Sequence, residues 1–150
     1  MRMSSRFTVA LHIFACTELF SDEYNITSEI LAGSIGTNPV VVRNILIRLK
    51  EAGLIEVSRG RKGGITILRP VSEITFYDIY MAVETNKDDC IFSFHENPSL
   101  ECPVGRNIHS VLDDKLHMIS DTMMDEMRRH TVQEVCDDMR VKLSEEIRNP

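Results

Sequence analysis

The chain has little that would make it a membrane protein, a secreted protein or an enzyme. No run of apolar residues approaches the ~20 that a membrane-spanning helix requires, so no membrane partner is expected. Its four cysteines, Cys16, Cys90, Cys102 and Cys136, contain no C-x-x-C pair and make no secreted disulfide framework. The amino-terminal stretch has a basic residue and an apolar run, but Arg6 and His12 interrupt it and no small-residue cleavage site follows. A cytoplasmic protein with reduced thiols is therefore expected. Nucleophile elbows, phosphate-binding glycine loops and paired carboxylates in a recognisable setting are all missing, so no enzyme is expected. There are no internal repeats and no low-complexity segments.

What is present is ordinary in bulk and uneven in charge. A length of 150 residues fits one domain, or a small domain with an appended arm, and can bury a core without disulfides or a metal. The net charge of −6 conceals two opposite halves. Residues 1–70 carry nine Lys/Arg against six Asp/Glu, a balance of +3; residues 71–150 carry eight against seventeen, a balance of −9. Charges farther apart than a Debye length, about 8 Å at physiological salt, screen one another, so the first half can meet a polyanion while the second faces elsewhere.

Periodicity predicts a mainly α fold with a small β-hairpin. A first helix spans residues 4–20, capped by Ser4 or Ser5, with Phe7, Leu11, Phe14 and Ala15 at helical spacing. Ser28 before Glu29 reads as the N-cap of a short second helix that stops near Ile35-Gly36. Asn38 is a good N-cap for a third helix, and Pro39 at its first position loses nothing by lacking an N–H. Val42, Ile45, Leu46 and Leu49 form its inward stripe, and Gly53 is its left-handed C-cap. Leu54–Val57 and Ile65–Leu68 are β-prone runs joined by a basic, glycine-rich tip, and Ile74–Glu84 reads as a fourth helix with Ile74, Ile79, Ala82 and Val83 inward. Asn86–Glu101 lacks periodicity and reads as a loop. Long helices follow over Pro103–Arg129 and Thr131–Ile147.

Helix, turn, helix, strand, basic loop, strand is the order of a winged helix-turn-helix, and its cationic residues point to double-stranded DNA. With the inward stripe hidden, Asn38, Pro39, Val40, Val41, Arg43, Asn44 and Ile47 face out from the third helix. Arg43 can bind guanine O6/N7 bidentately, Asn44 can bind adenine N6/N7, and Val40 or Val41 can touch a thymine methyl. Arg59, Arg61 and Lys62 stand among glycines on a slim loop suited to the minor groove and to phosphates. Arg6, Thr27 and Ser28 are further phosphate candidates, since helix amino termini present free N–H groups. Taken alone, Arg43 and Asn44 also fit a merely solvated helix face; the adjoining wing favours DNA.

Residues 1–84 resemble the Rrf2 family of bacterial transcription regulators. The matching residues are Ser5, Ala10-Leu11, Ile30-Leu31-Ala32, Leu46, Leu49-Lys50-Glu51-Ala52-Gly53-Leu54-Ile55, Arg59-Gly60, Gly63-Gly64, Leu68-Arg69-Pro70, Ile74-Thr75, Asp78-Ile79 and Ala82-Val83-Glu84. The resemblance implies a bacterial winged-helix homodimer on operator DNA, usually a repressor. It divides the chain into a DNA-binding domain (1–84), a connecting or sensor loop (85–102) and a helical dimerisation region (103–150), with the dimer formed through residues 103–130. Ile65 departs from the family, which often has an aromatic residue after the paired glycines.

Several members hold an iron–sulfur cluster with three closely spaced cysteines in that loop. Here only Cys90 and Cys102 occupy it, and His95 or Glu96 would have to substitute. Zinc on Cys90, His95, Cys102 and His109 would have loose ligand spacing. No cofactor or metal is expected. Cys102 precedes Pro103 at a helix start, where the dipole favours thiolate, so a redox switch through Cys90 and Cys102 stands beside the plainer possibility of unreactive packing thiols. Cys16 and Cys136 read as buried packing groups. The long helix carries an apolar stripe that the last helix can cover only on one side, which favours a symmetric partner. Alternatives are a winged-helix module that docks protein without reading bases, and a metal- or cluster-sensing regulator.

Overall fold

The computed structural model describes residues 4–84 and 90–149; residues 1–3, 85–89 and 150 lie outside it. Helix α1 (Ser5–Phe20) starts at Ser4, whose hydroxyl accepts from the Arg6 N–H at 3.1 Å. Its buried Ala10, Ile13 and Phe14 form the centre of the core. Helix α2 (Ser28–Ile35) is capped by Thr27, not Ser28: the Thr27 hydroxyl accepts from Ile30 N–H, and Ser28 is the first helical residue. Both side chains can cap, and the extended backbone at Thr27 decides between them.

Helix α3 (Pro39–Glu51) follows at 115° to α2, across a turn in which Gly36 takes φ +74°, a left-handed conformation that favours glycine. Asn38 caps α3 by accepting from Val40 N–H at 2.8 Å, and Val42, Ile45, Leu46 and Leu49 are buried as the periodicity predicts. At the other end the cap residue is Ala52, and Gly53 just beyond it is the left-handed residue. Strands β1 (Ile55–Ser58) and β2 (Gly64–Ile67) pair antiparallel, with Ile55 opposite Ile67 and Ser58 opposite Gly64. Ile65, the departure from the family pattern, is buried in the core.

A 3-10 turn (Val71–Glu73) leads into α4 (Phe76–Val83), which is shorter than the sequence suggests. Thr75 accepts from Asp78 N–H while the Asp78 carboxylate accepts from Thr75 N–H, so the capping box places Ile74 and Thr75 before the helix. Helix α5 spans Pro103–Arg129 and α6 spans Val132–Arg148. The junction between them is pinned to the start of α4: Phe76 N–H donates to His130 C=O, and Val132 N–H donates to Ile74 C=O.

The packing of α5 and α6 differs from the sequence expectation. Helix α6 lies on α1 and the 3-10 turn, burying Val132 and Cys136 in the main core, and does not serve as the cover of α5. Helix α5 rests on α4 near its own carboxyl end, where Met124 and Met127 pack with Tyr80 of α4. Val104, Val111, Met118 and Ile119 of α5 are each more than half exposed. No single described helix is long and apolar enough to cross a membrane.

Candidate nucleic-acid interface

Three elements meet along one groove. The amino terminus of α2, the outward side of α3 and the root of the hairpin enclose about 600 Å³, lined among others by Ser28, Glu29, Arg43, Ile47, Lys50 and Arg59. Burial of the α3 stripe forces Val40, Val41, Arg43, Asn44 and Ile47 outward, and all five are exposed. Asn38 is exposed and Pro39 half-buried at the start of the helix, with the Asn38 side chain occupied as the cap.

The hairpin tip is shaped by close backbone approach. A Cβ on Gly63 would collide with the Ser58 carbonyl and lie 2.7 Å from the Arg59 carbonyl carbon, so the tip is as slim as its backbone allows. Arg59, Arg61 and Lys62 are exposed on it and make no ion pair among the described residues. Arg61 and Lys62 face a second depression toward the end of α1, beside Glu18, Asp22 and Glu23, so the tip cations point to more than one side. Arg6 is half-buried and lines a third depression with Val41, Asn44 and Arg48. Arg48 itself donates to the Val83 carbonyl at 3.4 Å, and Lys50 pairs with Glu56 at 2.7 Å; both are tied within the module.

Arg43 is not a free solvated side chain. Its Nη2 donates to Glu29 Oε1 at 2.6 Å and its Nε to Ser28 Oγ at 3.2 Å, while Ser28 Oγ donates to Glu29 Oε2 at 3.1 Å. The Arg43 hydrogen bond holds the Glu29 carboxyl below the usual carboxylate range. In the sequence Glu29 is only an acid in the first turn of α2, and its contact with Arg43 is not legible there. Its signal is three-dimensional: the crossing of α2 and α3 brings together residues fourteen positions apart.

A family model for Rrf2, described as an iron-dependent transcriptional regulator, matches residues 3–138. The chain belongs to the Rrf2 family of transcriptional regulators. It is 35% identical over 133 residues to Bacillus subtilis (strain 168) YwnA, named as an HTH-type transcriptional regulator, covering 89% of this chain and 96% of that one. A crystal structure described as a DNA-binding protein shares 32% identity and a TM-score of 0.68 over 87% of this chain and 98% of that one. The structure of CymR, the global cysteine regulator of B. subtilis, shares the fold alone, with a TM-score of 0.64 at 16% identity over 91% of this chain and 97% of that one.

The Rrf2 description raises iron, and the connecting loop does not fit it. Cys90 is buried and Cys102 exposed; among the described residues no group of three His, Cys, Asp or Glu side chains is placed to hold a metal. The four zinc candidates, Cys90, His95, Cys102 and His109, are therefore not brought together as a site. The loop is instead held by aromatic packing. Phe94 stacks on His117 at 5.4 Å, His95 lies 5.0 Å from His109, and His109 Nδ1 is 3.0 Å from Asp113. Ile91 N–H donates to the buried Ser120 hydroxyl at 3.0 Å, fastening the loop to α5. Cys102 is the N-cap residue of α5. Its Sγ makes no full capping hydrogen bond, but the amides of Gly105 and Val104 hold its pKa below the ordinary thiol value.

Proposed function

We propose that this Rrf2 regulator reads operator DNA as a homodimer and represses by occupying it. The observation that carries the reading is the shared groove, lined by Arg43 and Ile47 of α3 together with Arg59 of the basic hairpin. Asn38, Pro39, Val40, Val41, Arg43 and Asn44 would enter the major groove, with Arg43 on guanine and Asn44 on adenine. Arg59, Arg61 and Lys62 would follow the adjacent minor groove and phosphates, with Thr27, Ser28 and Arg6 at its margin.

Dimerisation through residues 103–130 is supported by Val104, Val111 and Met118, exposed at seven-residue spacing along α5. Two such heads would bind half-sites of a palindrome whose centres are about one helical turn, or a multiple of it, apart. The test is selection of duplexes from a random pool, followed by fluorescence anisotropy. Arg43→Ala is expected to cost about 1–3 kcal/mol on the selected site and to relax one base position. Equal loss on random DNA would remove Arg43 from base reading. Repression is tested by in vitro transcription from a promoter carrying the selected site, where added protein should lower transcript yield.

A second, regulatory element is favoured by the exposed Cys102. Its thiolate can attack a peroxide, taking one oxygen to form sulfenic acid as the peroxide is reduced to water. Oxidised and reduced protein should then differ in operator affinity, and Cys102→Ser should abolish the difference.

A further inference from the structure

We infer that Glu29 is a positioning residue that, with Ser28, clamps the Arg43 guanidinium and so sets the base preference of the reading helix. The inference rests on the DNA-reading role proposed above and concerns how that reading is made specific. A guanidinium has two donor edges. One is formed by Nε and Nη2, and it is taken up by Ser28 Oγ and Glu29 Oε1. The other, formed by Nη1 and the second Nη2 hydrogen, makes no bond among the described residues. It presents two parallel N–H donors that can meet guanine O6 and N7.

The clamp is closed on itself. Ser28 Oγ accepts from Arg43 and donates to Glu29 Oε2, so α2 holds the arginine of α3 at two points and each partner fixes the other. An arginine on an exposed helix otherwise samples many rotamers, and binding a base must freeze them. Holding the planar group in advance reduces that cost and restricts the directions from which a base can be met. The arrangement also has an electrostatic disadvantage: a carboxylate stands in a groove meant for a polyanion. Removing it should not weaken non-specific binding and should even strengthen it, while selectivity falls. That opposite response separates positioning from simple attraction.

The experiment uses the full chain and random-pool duplex selection for the unaltered protein, Arg43→Ala, Glu29→Gln, Glu29→Asp and the double variant Arg43→Ala/Glu29→Gln. Affinities for the selected duplex and for random DNA are measured beside melting temperature. Glu29→Gln is expected to lose preference at the same base position as Arg43→Ala, with the ratio of specific to random affinity falling about tenfold. Random-DNA affinity should be held or raised and the melting temperature unchanged, because both side chains are largely exposed. Glu29→Asp should restore part of the preference, and Glu29→Gln should add nothing to Arg43→Ala.

Tighter binding of Glu29→Gln to all DNA with its base preference intact would overturn the clamp. So would a loss at a different base position that persists without Arg43, since Glu29 would then be contacting a base itself. If the unaltered protein enriches no sequence, base reading fails and the clamp fails with it. That outcome differs from failure of the clamp alone, in which the protein selects a site and only Arg43→Ala changes it.

Discussion

The thiols of Cys102 and Cys136 sit at opposite extremes of this molecule. Cys102 is exposed at the start of α5, where backbone amides favour the thiolate; Cys136 is wholly buried on α6, and desolvation pushes its thiol up to about 11. At neutral pH, iodoacetamide should therefore label Cys102 first and leave Cys136 untouched until the chain unfolds. Mass-spectrometric time courses check this, and early labelling of Cys136 would contradict it. His130 offers a second residue-scale test. Its Nδ1 lies 2.9 Å from Glu134 and its Nε2 3.3 Å from Glu126, and these carboxylates, Glu134 foremost, raise its pKa above the ordinary histidine value. A histidine with a raised folded-state pKa contributes stability that is present below its unfolded value and is lost as pH rises through the folded value. The melting temperature should exceed that of His130→Gln near pH 6, and the difference should shrink as pH rises above the folded-state value. A constant difference would place the effect in packing against Phe76.

At the scale of elements, what was legible depended on local chemistry. The Asn38-Pro39 start of α3 and the Cys102-Pro103 start of α5 fall where the sequence puts them, because a capping side chain or a proline fixes the first turn. The start of α2 was misplaced by one residue because Thr27 and Ser28 are both competent caps. The shorter α4 follows from the Thr75–Asp78 capping box, whose reciprocal bonds a search for apolar spacing does not weigh. Thr75→Ala should destabilise the fold by about 1 kcal/mol in chemical denaturation, the usual value of such a cap. A much larger loss would contradict a role confined to the cap. The destination of α6 was not legible, since its apolar stripe fits α1 or α5 equally well and only the three-dimensional packing chooses α1. The same holds for Glu29, whose role depends on how α2 crosses α3.

For the molecule as a whole, the acidic total charge proves a poor guide to its surface. On the reading face, the carboxylate that pairs with Arg43 is Glu29 of the same module rather than a group of the acidic carboxyl-terminal half. Because α6 is committed to α1, more of α5 is left uncovered than the sequence implied, which strengthens the case for a symmetric partner. Val111→Glu should convert a dimer to monomer in sedimentation equilibrium and lower operator affinity with it; an unchanged mass would move the interface elsewhere. The most direct measurement of the central claim is the salt dependence of binding to a selected duplex, for the intact chain and for Arg59→Ala/Arg61→Ala/Lys62→Ala. The account predicts a steep linear fall of log affinity with log salt, flattened in the triple variant by roughly one unit of slope for each phosphate contact removed. A shallow slope for the intact chain, or the same slope in both proteins, would contradict it.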